Sequence, residues 1–223
     1  MPNPISWIDP LGLRAKVGDC PKVNPWNQFQ KDMKGHFANS SKAAKSYQRM
    51  KDIAKMGSNA EKINRPDPSD YLPESFIDAH IQLFNEEGSA FIAIQGWMEN
   101  PEYTTLPQRK FVGLRSEMDE VISKYEASGG DWKVLVEELS LGKNVDLSKE
   151  KIAYVVVEPG DERLAYDIPT GRERGAYENE WVPGGKTKGG TVEAALVGAE
   201  DIVHDNDVDN LVKQFPGSKI IKE

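Results

Sequence analysis

Two glutamates set two residues apart, Glu178 and Glu180, sit in the most heavily punctuated stretch of the 223-residue chain. On an extended backbone, residues at this spacing face the same side, roughly 6 to 7 Å apart, so both carboxylates enter one space while Asn179 and Trp181 face the other. Like charges that converge in a cleft repel each other unless a substrate cation or a sugar hydroxyl engages them. Trp181, Val182 and the turn Pro183-Gly184-Gly185 follow at once and would hold such a pair rigidly. The same spacing also describes a solvated strand face, which an acidic protein has in plenty. Other chemistries lack their residues. Only His36, His80 and His204 exist, none in a metal-binding cluster, so no metal site is expected. The lone Cys20 excludes an internal disulfide and a zinc deaminase. Lys186-Thr187-Lys188-Gly189-Gly190-Thr191 lacks the order of a phosphate-binding P-loop, although it could grip phosphate as a mobile loop.

The elements that must position these residues alternate between helix and strand without a regular βαβ rhythm, which predicts an α+β fold. An N-terminal helical and irregular segment precedes a compact mixed domain. Ser40 or Ser41 starts a helix to about Met56, with Ala43, Tyr47, Met50 and Ile53 at helical spacing. Arg65 to Asp70 reads as a linker. A helix over 73–87 carries Phe76, His80 and Phe84 on one face, and a histidine in such a stripe is expected to pack as core. Strands are expected at 89–94, 110–114, 151–157, 193–197 and 218–221. Helices are expected from Ser116, capped with Asp119, to Tyr125, then over 131–141 and 207–215. The aromatic, proline-rich stretch 95–108, with Trp97, Met98 and Tyr103, could cover a ligand pocket.

Composition bounds the partners. With 38% hydrophobic and 29% charged residues the chain reads as soluble and globular, with no apolar run long enough for a membrane span. The net charge of −8 is uneven: residues 1–57 hold ten Lys/Arg against four Asp/Glu, and residues 58–223 hold eighteen against thirty-two. An acidic C-terminal part argues against a nuclease that grips phosphates through a basic face. Met1 to Leu13 lacks the basic start and apolar core of a signal peptide, so export is expected through a parent polypeptide or a dedicated machine such as type VI secretion.

That opening stretch, Asn3-Pro4-Ile5-Ser6-Trp7-Ile8-Asp9-Pro10-Leu11-Gly12-Leu13, closely resembles the N-P-x-x-x-x-D-P-x-G-L ending of the shell in Rhs-repeat polymorphic toxins. The resemblance implies self-cleavage after Leu13, with Asp9 as one protease carboxylate. It divides the chain into shell end (1–13), pre-toxin linker and helix (14–65) and toxin domain (66–223). It further implies an antibacterial effector delivered into the cytoplasm of a target bacterium, with its Rhs shell and a cognate immunity protein as partners. The E-x-E at Glu178 and Glu180, followed by an apolar pair and a turn, resembles the site of ADP-ribosyltransferase toxins. By that resemblance NAD is the co-substrate, Glu180 binds the ribose and stabilises the oxocarbenium-like transition state, and Glu178 activates the acceptor on a protein or RNA target. An early-strand arginine that holds the NAD phosphates would be Arg115, with Arg109 second. The family's Ser-Thr-Ser strand is missing here, and Tyr166 is taken in its place. The alternative reading is a metal-independent RNase acting on tRNA or rRNA through His80 or His204 with Glu173, Glu178 or Glu180.

Overall fold

The computed structural model describes residues 31–223 apart from 32, 34, 38, 58, 100–103, 143, 174, 177–180 and 189. Asp9, Leu13, Glu178 and Glu180 lie outside the described residues, as do Cys20 and Tyr103. The described part is α+β, as expected from its sequence. Six strands form one antiparallel sheet in the order β4-β7-β2-β1-β3-β8, with β1 Ser89–Ile94, β2 Arg109–Leu114, β3 Ile152–Val157, β4 Ala165–Asp167, β7 Glu193–Val197 and β8 Lys219–Lys222. A two-residue hairpin, β5 Trp181–Val182 against β6 Lys186–Thr187, stands apart from it.

Helices cover both sheet faces, and every residue of β1 and β3 is buried in consequence. One face carries Phe91, Val112, Val155 and Leu196 and packs against Phe84 of α3 (Glu74–Glu87) and Leu211 of α7 (Val208–Gln214). The opposite face carries Ala90, Ile92, Ile152 and Tyr154 and packs against Met118 and Ile122 of α5 (Arg115–Ala127) and Leu135 of α6 (Trp132–Glu138). This alternation follows from the two-residue period of a strand. Helix α3 ends at Gly88, whose φ of 76° and closeness to the Val157 carbonyl leave no room for a side chain: a Cβ would stand 2.5 Å from that oxygen. Among the described residues no helix is long and apolar enough to cross a membrane.

A third apolar cluster joins the N-terminal part to the sheet. Met33, and Met50 and Ile53 of α1 (Ser40–Ala54), pack with Tyr71, Leu72, Phe76, Ile168 and Trp181. The stretch Arg65 to Asp70, expected to be a linker, is fixed in place: Arg65 and Pro68 are buried, and Pro68–Asp70 forms a 3-10 turn. Two capping expectations are corrected. Asn39, not a serine, caps α1 by accepting from the Lys42 N–H. At α5 no side chain caps the N-terminus: Ser116 donates to Glu87 at 2.7 Å, and Asp119 accepts from Arg115 and Tyr154 instead.

Candidate functional site

Strands β1 and β2 pair only at Ser89 with Leu114 and Ala90 with Gly113. Beyond that point each turns to its other neighbour: β1 pairs with β3 along all six residues, and β2 with β7 from Arg109 to Gly113. The sheet therefore opens between its two central strands, and a cavity of about 90 Å³ occupies the opening. Apolar walls come from Phe91, Phe111, Met118 and Leu141, while Lys110, Glu193, Thr187 and Thr191 add polar groups. Gly113 keeps the wall in place, because a Cβ there would lie 2.7 Å from Cγ and Sδ of Met118. Trp97, on the short helix Gln95–Met98 within the stretch 95–108, also lines the cavity and is 53% exposed.

The groups around the cavity are electrostatically unusual. Burial pushes the Glu193 carboxyl up to about 8 despite the opposing influence of Lys110, and burial pushes the Lys110 ammonium down to about 8. Nearby, burial raises Glu117 to about 7, although its Oε2 accepts from the Val192 N–H at 2.6 Å. Behind Glu193, the His80 ring is 1% exposed and lies between Phe76 and Phe84 on α3. Its Nε2 meets the Glu193 carbonyl at 2.8 Å. A carbonyl can only accept, so Nε2 carries the proton, and burial lowers the ring to about 4. His80 is thus a neutral core residue, as its helical stripe predicted.

The stretch 186–191, whose composition allows a phosphate loop, begins on β6 with two buried residues. Lys186 and Thr187 are 2% and 3% exposed. Thr187 Oγ1 accepts from the Thr191 N–H, and the Gly185 carbonyl accepts from the Glu193 N–H, which ties the hairpin to β7. Gly185 has a φ of 78°, and a Cβ on it would stand 2.6 Å from both the His80 ring and the Glu193 carbonyl. A larger side chain would therefore lift the hairpin off the sheet.

The arginines expected to hold NAD stand at opposite ends of one stretch, Arg109 as the first residue of β2 and Arg115 as the first of α5, about 20 Å apart by strand rise. Arg109 donates Nε to Glu173 and Nη1 to Asp167, both at 2.9 Å, and Nη2 to the Ile168 carbonyl. Burial disfavours its charge, but the two carboxylates outweigh that and raise its pKa. Arg115 pairs with Asp119 at 2.9 Å and with Glu158 at 3.3 Å. The Tyr166 hydroxyl meets Ser89 Oγ at 3.1 Å, with its ring against Phe84. The structure does not bring these three together around one cavity. The residues that do line a cavity, Lys110 and Glu193, were read from sequence only as strand residues. The available signal was charge at the start of an otherwise apolar strand: Arg109-Lys110 before Phe111-Val112, and Glu193 before Ala194-Ala195-Leu196.

Among the described residues, no group of three or more His, Cys, Asp or Glu side chains is placed to hold a metal ion. Compared with models of known protein families, with curated proteins and with solved structures, the chain matches none.

Proposed function

We propose that the chain is the payload of an Rhs polymorphic toxin, released after Leu13 by a cleavage that uses Asp9, and that it poisons a target bacterium by transferring ADP-ribose from NAD. The observation that carries the reaction is the setting of the β5–β6 hairpin. Its first strand follows Glu178-x-Glu180 directly in sequence, and its second supplies Thr187 to the wall of a cavity that also holds Glu193 and Lys110. A pair of ionised carboxylates supplies the negative charge that stabilises a sugar oxocarbenium ion. In the reaction, the bond between the ribose carbon and nicotinamide breaks, and nicotinamide leaves neutral with the electron pair. Glu180 stabilises the cation, and the acceptor attacks while its proton passes to Glu178.

The two histidines of an RNase reading are both buried, His80 at 1% and His204 at 3%, and His204 Nδ1 already accepts from the Asn206 N–H. A ring that titrates against RNA has to reach it, so the carboxylate reading is favoured. The deciding experiment incubates the protein with labelled NAD and bacterial lysate. Label is expected in a macromolecular fraction, and Glu180→Gln is expected to abolish it without changing the melting temperature. Intact NAD alongside fragmented tRNA or rRNA would assign the toxicity to RNA cleavage instead. A cognate immunity protein is part of the proposal, with basic surface to meet the acidic residues 58–223.

A further inference from the structure

The opening between β1 and β2 is lined by polar groups as well as apolar ones. Lys110 and Glu193 both line it, and among the described residues no hydrogen bond or salt bridge engages either side chain. The Lys110 ammonium lies over the Phe91 ring, with the nitrogen 5.1 Å from its centroid. Both are half-buried, and two partly desolvated ionisable groups that line one cavity without neutralising each other in a salt bridge keep their hydrogen-bonding capacity for a polar ligand. Phe91 and Phe111 give the walls an aromatic character, and Trp97 stands half out in solvent at the same cavity.

The volume limits what fits. About 90 Å³ is less than the ~150 Å³ apolar cavity that accommodates benzene, but this one is open to solvent, so it admits one six-membered ring whose edge projects outward. A bicyclic purine is too large. The polar groups set the edge chemistry. A lysine ammonium only donates, so it calls for a carbonyl or ring nitrogen. A glutamate accepts in either protonation state, so it calls for an N–H.

We propose that the opening between β1 and β2 is a binding site for a monocyclic heteroaromatic ring that carries a hydrogen-bond acceptor and an amine or amide N–H on one edge, with Lys110 and Glu193 reading that edge and Trp97 covering the ring. Pyridine carboxamides and aminopyrimidines share this chemistry. The site stands on the cavity and does not depend on the NAD reading.

The test titrates the full chain with nicotinamide, with cytosine and with adenine, followed by calorimetry and by tryptophan fluorescence, with Trp97→Phe as the control for the fluorescent reporter. Nicotinamide, cytosine or both are expected to bind and to perturb the Trp97 signal, and whichever binds identifies the source of the ring. Lys110→Met and Glu193→Met are each expected to weaken that binding about tenfold or more, the loss typical of a buried hydrogen bond left unmade. Leu141→Phe, at a half-buried wall position, narrows the cavity without touching a charge and is expected to block binding even if the charge variants fold poorly. Binding of neither monocycle, tighter binding of adenine, or affinities unchanged in all three variants would overturn the proposal. Cytosine capture without nicotinamide capture supports the site and leaves the labelled-NAD experiment to judge the proposed function separately.

Discussion

Arg109 and Arg115 have the same side chain and the same fractional exposure, yet their partners give them different consequences. Arg109 faces Glu173, whose side chain is 2% exposed, while the Asp119 and Glu158 partners of Arg115 are 50% and 55% exposed. Arg109→Ala strands a buried carboxylate, whose Oε2 already lacks a partner, and is expected to cost about 3 kcal/mol in chemical denaturation. Arg115→Ala is expected to cost less than about 1 kcal/mol. Arg115 is therefore the arginine whose removal can test NAD binding cleanly, read as a rise in KM at unchanged melting temperature. Glu117 makes a second residue-scale prediction. Its carboxyl stands near 4.5 in the unfolded chain and is raised to about 7 here, so the folded state holds the extra proton between those values. The associated stability is full below pH 4.5 and is lost as pH rises through 7. Glu117→Gln, which can still accept from the Val192 N–H, is expected to melt like the parent at pH 5 and higher than it at pH 7.5, by about 5 °C. Lys110, lowered by burial to about 8, changes stability only above that pH. His80, lowered from 6.5 to about 4, changes it between those two values, equally in the parent and the Glu117→Gln variant, so it cancels when the two are compared at one pH.

Among the elements, the segment from Arg65 to Tyr71 holds Gly171, Arg172, Ala176 and Trp181 in place. Arg65 is 1% exposed, lies 4.5 Å from the centroid of the Trp181 ring, and donates to the carbonyls of Gly171, Ala176 and Met56. Arg172 returns the contact by donating to the Arg65 carbonyl and to Asp67. Gly171 permits the packing: its φ is 80°, and a Cβ there would come within 2.4 Å of the Trp181 ring. Arg65→Lys keeps the charge but loses the planar stack and the fork of donors. It is expected to lower the melting temperature and to raise proteolytic cleavage within 168–181, with the cleavage sites read by mass spectrometry.

At the scale of the whole molecule, the boundary expected at residue 65 runs through an apolar cluster. Met33, Met50 and Ile53 on one side are buried with Tyr71, Phe76 and Trp181 on the other. A chain beginning at Pro66 would expose those three rings and lose Arg65 as well. It is expected to aggregate or to melt well below a chain beginning at Lys31, since removing even one buried large apolar side chain costs about 2 to 5 kcal/mol. Matched thermal melts with light scattering make the comparison. If the shorter chain melts like the longer one, the N-terminal part is an accessory to the fold after all.

The sequence by itself determined the longer helices and five of the six strands of the sheet, all but β4, because their patterns are local. Strand β3 at 152–157 stands where its β-branched run placed it, and His80 packs where its stripe put it. Local patterns reached the α+β class as well, from the order of the elements alone. What only the tertiary structure decided is the cavity and its occupants' charges. Lys110 and Glu193 are 83 residues apart, and nothing in either neighbourhood says that β1 and β2 part after two paired residues or that both side chains line the gap. Their perturbed ionisation comes from burial by distant strands and helices, a quantity that no local sequence pattern contains. For the same reason Arg65 to Asp70, polar and proline-rich, read as a linker: its burial is supplied by a loop more than one hundred residues away.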